Sequence, residues 1–248
     1  MFWRVAYALA MLLAIVCASF LVRSRQKKIL PHPADRFAIG LAAFIGAMIG
    51  SKVPFIMQLG WDGLVSGTTW FADGKTILGG IFGGYLSVEL VKRWSGITVR
   101  TGDSFALPIA IAVVIGRVAC FTVGCCFGTV TNLPWGVAFP LAHDPPGVLR
   151  HPTQLYEVAF HLAAAVWLLV ADRKKYLVGN QLKAYLLAYL AYRFISEWIR
   201  PESKLLMGLT SYQYASVILA VILIGLWILD SNVTSNRSTG AQDAGEND

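Results

Sequence analysis

Charged side chains are scarce in this sequence. Lys, Arg, Asp and Glu make up 14% of its 248 residues, whereas 56% of the residues are hydrophobic. Soluble globular domains carry about 25% charged residues, so the composition excludes an ordinary soluble fold. Because a transmembrane helix needs about 20 apolar residues, the chain is long enough for several membrane spans.

Acidic residues are the scarcer of the two charge signs, with 14 Asp and Glu against 21 Lys and Arg. No basic face alternates with aromatic residues that would stack on bases, so nucleic acid is not an expected partner. An excess of Lys and Arg is typical of the cytoplasmic loops of membrane proteins. We therefore expect the lipid bilayer to be the partner that explains the net charge of +7.

Cysteine is rare as well, and Cys17, Cys120, Cys125 and Cys126 do not form a disulfide framework, since a normal disulfide between adjacent residues is strained. We set a metal site aside, because no further ligands stand at a suitable spacing. A second interpretation is a thiolate nucleophile, since Arg117 lies on the same predicted helix and would lower the pKa of a nearby cysteine thiol. We favour the third interpretation, small apolar residues that let helices pack closely.

Seven apolar stretches predict an all-α polytopic membrane protein with about seven transmembrane helices. The stretches are 5–22, 37–57, 77–91, 105–127, 152–170, 182–199 and 212–229. We expect residues 1–230 to form a single seven-helix transmembrane domain. Residues 231–248 are rich in Ser, Asn, Gly and Asp, so we expect them to form a disordered polar tail.

The distribution of Lys and Arg predicts the orientation of the spans. Loops 23–36, 92–103 and 171–183 hold twelve Lys and Arg, far more than loops 59–76, 128–154 and 200–211 hold. By the positive-inside rule the first set is cytoplasmic. The amino end is then outside, the carboxyl end is cytoplasmic, and the second set of loops lies on the outer side.

Several charged residues fall inside the apolar stretches, where they are costly and usually functional. Arg117 interrupts the fourth stretch, and Glu157 and His161 lie in the fifth. In the sixth, Tyr189, Arg193, Glu197 and Arg200 share one helix face. Three arginines against two glutamates favour an anionic ligand such as phosphate. The alternative is internal pairing, of Arg117 with Glu157 and of Glu197 with Arg193 or Arg200, and pairing and phosphate binding are compatible.

His151, at the outer mouth of the fifth predicted span, is the best candidate for a general acid or base, because histidine titrates near neutral pH. Its alternative role is to position the start of that helix. We interpret His161 as a buried residue that makes a structural hydrogen bond. Lys52 is either a substrate contact or a lysine that reaches to the membrane interface.

Glycine pairs spaced four residues apart mark close helix packing or backbone that is open to a ligand. Gly46 and Gly50 form one such pair. The segment Leu78-Gly79-Gly80-Ile-Phe-Gly83-Gly84 contains two more, which overlap.

In four segments the sequence resembles the bacterial prolipoprotein diacylglyceryl transferases. They are Gly79-Gly80; Gly116-Arg117 with the Gly-x-x-x-Gly that ends at Gly128; Arg150-His-Pro-Thr-Gln-Leu-Tyr-Glu157; and Tyr189-x-x-x-Arg193-x-x-x-Glu197-x-x-Arg200. The resemblance covers residues 40–230. It implies seven spans with the amino end outside, in the bacterial cytoplasmic (inner) membrane.

The resemblance also implies a function. Such an enzyme moves a diacylglyceryl group from phosphatidylglycerol to the thiol of a lipobox cysteine in a precursor lipoprotein, and glycerol phosphate leaves. It uses no cofactor. Arg117 and Arg193 would hold the phosphate, with Tyr189, Glu197 and His151 in the catalytic site. The remaining substrate contacts would be Arg200, Glu157, Gln154, Gly79, Gly80 and Lys52.

The sequence departs from the family pattern at several positions. Leu78 replaces the histidine before Gly-Gly, a proposed base for the incoming thiol. Cys120, Val123 and Cys125 replace two asparagines and a glutamate, and Lys52 stands for an arginine. His151 or Lys75 would then be a substitute base. Three alternatives stay open: transfer to another acceptor, transport of an anionic lipid or solute, and a non-catalytic membrane scaffold.

Overall fold

A computed structural model describes residues 2–67, 76–139 and 142–245. In these ranges the chain forms seven α-helices: α1 (Phe2–Gln26), α2 (Pro33–Val65), α3 (Ile77–Trp94), α4 (Asp103–Val123), α5 (Thr153–Lys174), α6 (Gln181–Ser196) and α7 (Ser211–Gly245). Two 3₁₀ turns, Glu197–Ile199 and Leu206–Gly208, lie between α6 and α7. The prediction of an all-α polytopic membrane protein is confirmed.

Five of these helices are long and apolar enough to cross a membrane. Their spanning segments are Val5–Gln26, Pro33–Val53, Asp103–Val123, Thr153–Lys174 and Ser211–Asp230. Helices α3 and α6 are shorter, at 18 and 16 residues. At 1.5 Å per residue they are about 27 and 24 Å long, slightly less than the hydrocarbon thickness of about 30 Å. The side of the membrane that each end faces stays a prediction.

The helices expose apolar residues and bury polar ones, the reverse of a soluble protein. Leu9 is 61% exposed, Phe37 71% and Ile218 58%, whereas Gln154 and Glu157 are fully buried. A soluble monomer rarely exposes contiguous apolar surface of this extent. Lipid tails would cover such side chains without cost, while charged residues inside a membrane protein face its interior.

The chain packs as two units. One comprises Ser19–Ser104; the other comprises Met1–Ala18 with Phe105–Asp248. In the first unit, α2 and α3 pack through glycines. A β-carbon on Gly79 would lie 2.3 Å from the Gly50 carbonyl oxygen, and one on Gly83 would lie 2.3 Å from the Gly46 carbonyl oxygen. The backbones are therefore in direct contact, and of the two interpretations of these glycines the contacts support close packing.

In the second unit, polar side chains join neighbouring helices. The Tyr189 hydroxyl on α6 donates to Glu157 on α5, at 2.8 Å. The Gln213 amide on α7 donates to the Phe194 carbonyl oxygen on α6, at 3.2 Å. The side chains of Tyr189, Glu157 and Gln213 are all buried. Of these residues the sequence marks Tyr189 and Glu157 as unusual for a membrane, whereas Gln213 is seen only in the structure.

Some predicted boundaries shift in the structure. Helix α2 continues to Val65, so the loop predicted over 59–76 is wrong for its first seven residues. The bilayer limits how many residues must be apolar, but it does not end a helix. The backbone of α7 is helical to Gly245, into the segment predicted as a disordered tail. The single domain over residues 1–230 and the tail stay predictions.

The glycine contacts predict opposite effects for two alanine substitutions. Alanine is the better helix former by about 1 kcal/mol, and a β-carbon on Gly40 meets nothing within 4 Å, so Gly40→Ala should preserve or raise stability. Gly83→Ala should destabilise the protein by about 1–3 kcal/mol, because the helices must move apart. Thermal unfolding of both variants in detergent measures this, and equal midpoints would contradict the close contact.

Candidate functional site

The centre of the second unit is the carboxylate of Glu157, which is fully buried on α5. Its Oε2 atom lies 2.8 Å from Nη2 of Arg117 and 3.2 Å from Nη2 of Arg200. Its Oε1 atom accepts a hydrogen bond from the Tyr189 hydroxyl at 2.8 Å. The predicted pairing of Arg117 with Glu157 is confirmed, and one carboxylate joins α4, α5, α6 and the segment after α6.

A second ion pair lies on α6 and the turn that follows it. Nη2 of Arg193 is 3.0 Å from Oε2 of Glu197, and both side chains are buried. The Arg193 guanidinium also lies over the Tyr212 ring, 4.7 Å from its centroid. Of the two partners that the sequence allows for Glu197, the structure therefore selects Arg193.

Arg200 does not lie on the helix face that the sequence predicts for it. Helix α6 ends at Ser196, and the 3₁₀ turn Glu197–Ile199 is followed by extended backbone at Arg200. A 3₁₀ turn has 3.0 residues per turn rather than 3.6, so it rotates the next side chain away from the α-helical position. Arg200 thus reaches Glu157 on α5.

The three arginines keep N–H donors that the described residues do not satisfy. Arg117 Nε, Arg193 Nη1 and Arg200 Nε are buried and have no hydrogen-bond partner in the described part of the chain. Buried polar groups without partners are costly. With three guanidinium groups against the carboxylates of Glu157 and Glu197, the site has a net charge of +1. This arrangement suits an anion that accepts several hydrogen bonds, such as a phosphate ester.

His161 has the structural role that we predicted. It is fully buried, and its Nδ1 atom lies 2.8 Å from the Tyr185 hydroxyl. Its Nε2 atom is 4.0 Å from Glu157 Oε1, beyond hydrogen-bond distance.

His151 lies outside the Glu157 network. Its Nδ1 atom is 3.2 Å from the Tyr156 hydroxyl, which accepts a hydrogen bond from Trp135 Nε1 at 2.8 Å. Its backbone also fixes the preceding loop, since the Gly128 N–H donates to the His151 carbonyl oxygen at 2.8 Å. Both the catalytic and the positioning interpretation of His151 stay predictions.

The loop between α4 and α5 is anchored by Arg150. Its guanidinium donates to both carboxylate oxygens of Asp144, at 2.5 and 2.8 Å, and to the Gly128 carbonyl oxygen at 3.2 Å. These bonds hold the pKa of the Asp144 carboxyl below its usual value. This anchor is not predicted from the sequence. The only signal was a single arginine and a single aspartate in a loop of 27 residues, which specifies no geometry.

The end of α4 brings Cys120 and Cys125 together. Gly124 has a positive φ of 76°; its N–H donates to the Phe121 carbonyl oxygen, and the Cys125 N–H donates to the Cys120 carbonyl oxygen, both at 3.1 Å. This is the Schellman ending of a helix, in which the side chains at the two ends of the six-residue turn meet. The Sγ atoms of Cys120, Cys125 and Cys126 lie within 4.8 Å of one another.

Two side chains from the start of α5 hold this turn. Gln154 Nε2 donates to the Cys125 carbonyl oxygen at 2.5 Å, and Thr153 Oγ1 donates to the Cys126 carbonyl oxygen at 2.7 Å. Gln154 and Thr153 are almost completely buried. Gln154, which the sequence predicts as a substrate contact, therefore positions the cysteine turn.

The remaining predicted contacts belong to the other unit. Gly79, Gly80, Lys52 and Leu78 all lie within Ser19–Ser104. Lys52 and Leu78 are buried, and Lys75 lies outside the described residues. The assignment of Gly79, Gly80 and Lys52 to the substrate site stays a prediction.

Comparisons with known proteins agree with the family resemblance of the sequence. The family model "Prolipoprotein diacylglyceryl transferase" matches residues 4–229. A phosphatidylglycerol–prolipoprotein diacylglyceryl transferase from Clostridium tetani is 32% identical over 235 residues, which cover 90% of this chain and 91% of that protein. Proteins with the same description from Clostridium perfringens (number 2 in that organism) and Gloeobacter violaceus are 28% and 30% identical, over 97% and 96% of this chain and 94% and 91% of theirs.

The Glu157 network predicts a large loss of stability in Glu157→Gln. Removing one partner of a buried ion pair costs about 3–5 kcal/mol, because the other charge stays buried, and here two arginines lose the negative charge that they share. Glu89→Gln is the matched control, because Glu89 pairs with Lys92 at 3.0 Å but is 45% exposed; such a pair is worth about 0–1 kcal/mol. Thermal unfolding in detergent compares the two, and a midpoint for Glu157→Gln as high as that of the control would refute the network.

Proposed function

The chain belongs to the prolipoprotein diacylglyceryl transferase family, and from this membership we propose that it transfers a diacylglyceryl group from phosphatidylglycerol to the thiol of a lipobox cysteine in a precursor lipoprotein. The observation that supports this proposal best is the set of three buried arginines with unsatisfied N–H donors. A phosphate ester is the group that these donors suit, and the donor lipid has one.

The reaction forms one bond and breaks one. The acceptor sulfur attacks the glycerol carbon of the diacylglyceryl group that carries the phosphate ester, and a C–S bond forms. The C–O bond to the phosphate breaks, its electron pair stays on the phosphate oxygen, and glycerol phosphate leaves. The thiol proton passes to a base. Negative charge therefore develops on the departing phosphate, and preorganised N–H donors aimed at that charge lower the barrier.

We assign the phosphate to Arg117 and Arg193, with Arg200 completing the positive side of the site. Glu157 holds Arg117 and Arg200 in position, and Tyr189 fixes the carboxylate of Glu157 from the opposite oxygen. Glu197 orients Arg193. Holding the reacting groups in position before the reaction accounts for much of the rate advantage of an enzyme, so we assign Tyr189 and Glu197 as positioning residues that act through Glu157 and Arg193.

The acceptor side of the site differs more from the family. Leu78 is buried and has no proton-accepting atom, so the base must be another residue. We propose His151, the histidine at the start of α5, for this role. Lys52, Gly79 and Gly80 remain candidate contacts of the lipid, and Gln154 contributes by holding the turn that follows α4.

The substrates determine where the protein works. A diacyl lipid and a membrane-anchored precursor both reach a polytopic protein sideways through the bilayer. The exposed apolar side chains of the helices would be in contact with lipid along this route. We place the protein in the bacterial cytoplasmic membrane, with the loop between α4 and α5 on the outer side. A different thiol or hydroxyl acceptor is the alternative that the departures at Leu78 and Cys120 favour.

Substituting lysine for arginine tests the phosphate site while it keeps the charge. A lysine is a point charge without the planar fork of an arginine, so Arg117→Lys and Arg193→Lys should each lower kcat by about a hundredfold or more. Arg173→Lys, at an exposed position near the end of α5, is the matched control and should leave kcat unchanged. Purified protein, phosphatidylglycerol and a lipobox peptide, followed by mass spectrometry, provide the assay. Full activity of both site variants would refute the assignment.

A complementation experiment decides whether the acceptor is a precursor lipoprotein or a different thiol or hydroxyl compound. In cells depleted of their own prolipoprotein diacylglyceryl transferase, this chain should restore lipidation of precursor lipoproteins, and its Arg117→Ala variant should not. If the chain with Arg117 intact consumes phosphatidylglycerol but restores no lipidation, the acceptor is not a lipoprotein. If neither occurs in a membrane that contains the folded protein, the transferase proposal itself fails.

A further inference from the structure

Three of the four cysteines converge at one point of the fold. The Sγ atoms of Cys120, Cys125 and Cys126 all lie within 4.8 Å of one another, and their burial falls from Cys120, which is 8% exposed, to Cys126, which is exposed. The cluster is therefore reached from the side of Cys126. In the described part of the chain the three thiols are free.

The backbone around the cluster is fixed before any ligand binds. Cys126 is held at a φ of 61°, a conformation that residues other than glycine rarely adopt and that persists only where the surroundings impose it. Here the buried side chains of Thr153 and Gln154 impose it through the carbonyl oxygens of Cys126 and Cys125. Gly128, two residues after Cys126, packs closely against the backbone of Ile199, because a β-carbon there would lie 2.6 Å from the Ile199 carbonyl oxygen.

We propose that Cys120, Cys125 and Cys126 bind one Zn²⁺ ion with an open fourth position that accepts the thiol of the acceptor substrate. With Zn–S bonds of about 2.3 Å, two sulfur ligands of a tetrahedral ion are about 3.8 Å apart. The three sulfur atoms lie within 4.8 Å of one another, so none of their separations exceeds the tetrahedral value by more than about 1 Å. Three protein ligands with one open position is the coordination of catalytic zinc, whereas structural zinc has four protein ligands.

The surroundings suit the charge of such a site. Zn²⁺ with three thiolates has a net charge of −1, and a fourth thiolate makes it −2. Arg117 and Arg200 both interact electrostatically with Cys126. Cys120 lies three residues after Arg117 on α4, which places both on one face of the helix. The metal-bound thiol would therefore lie near Arg117, one of the two arginines assigned to the phosphate, and near Arg200.

This inference rests on the proposed function, and it adds activation of the acceptor thiol by the ion to the proton acceptor, His151, proposed above. Binding to the ion lowers the pKa of the acceptor thiol, so its proton leaves to a nearby base or to water. The resulting zinc-bound thiolate keeps its nucleophilic electron pair. It attacks the glycerol carbon, the C–O bond breaks, and the product thioether, a weak ligand, dissociates from the ion. No oxidation or reduction takes place.

Metal content tests the site without any catalytic readout. Protein purified from zinc-supplemented cells without chelators should contain about one zinc per chain. Loading the apoprotein with Co²⁺ should produce thiolate-to-cobalt charge-transfer bands and the visible bands of tetrahedral cobalt. The variants Cys120→Ser, Cys125→Ser and Cys126→Ser should each bind zinc at least tenfold more weakly, while Cys17→Ser, the matched control on α1, should bind it like wild type.

Three outcomes would overturn the inference. One is a zinc content near zero in protein that a cooperative thermal unfolding transition shows to be folded. Another is equal zinc affinity in the Cys120, Cys125 and Cys126 variants and in the Cys17 control. The third is a disulfide between Cys120 and either neighbour in the active protein, shown by thiol counting and peptide mass mapping, because oxidised cysteines cannot hold the ion.

Activity then separates this inference from the proposed function. A lipobox peptide should perturb the cobalt spectrum, and the same peptide with serine in place of its cysteine should not. If the peptide is lipidated by metal-free protein at the wild-type rate, the zinc site is refuted and the transferase function stands. If the ion binds and the peptide perturbs its spectrum, but phosphatidylglycerol is never consumed, the site stands and the proposed transfer fails.

Discussion

The buried carboxylate of Glu157 is the interaction on which the second unit depends. One oxygen forms ion pairs with Arg117 from α4 and with Arg200 from the segment after α6. The other oxygen accepts a hydrogen bond from Tyr189 on α6. Charges inside a membrane protein are stable only when such partners compensate them. The same contacts leave one N–H of each of these arginines without an acceptor, so the element that stabilises the helices also prepares the site for an anion.

Two chemical environments meet at the end of α4. The arginines are where we propose that the phosphate leaving group binds, and the thiols that begin one helical turn further on, at Cys120, are where we propose that the metal and the acceptor thiol bind. A transfer from a phosphate ester to sulfur needs both environments next to each other. The helix ending at Gly124 achieves this within ten residues, because it reverses the chain so that Cys125 returns to Cys120.

Much of this arrangement could be predicted from the sequence, because the bilayer makes a buried charge conspicuous. Arg117, Glu157 and Arg193 stand out in apolar stretches. Charge predicts the pairing of Arg117 with Glu157, but it does not decide between Arg193 and Arg200 as the partner of Glu197. The cysteine cluster could not be predicted by ligand spacing, since Cys120 and Cys125 meet through a helix ending rather than along a helix face. The departure of Arg200 from its face depends on a 3₁₀ turn, and the continuation of α2 to Val65 has no signal in hydropathy.

The most direct test of the central claim is a mass balance with isotopically labelled phosphatidylglycerol. The lipid would carry one label in its diacylglyceryl group and another in its headgroup glycerol phosphate, and the purified protein would be given a lipobox peptide. We expect the first label to appear on the peptide cysteine as a thioether and the second to be released in equal amount as glycerol phosphate. Tight binding of the doubly labelled lipid with neither label separated from the other would contradict it.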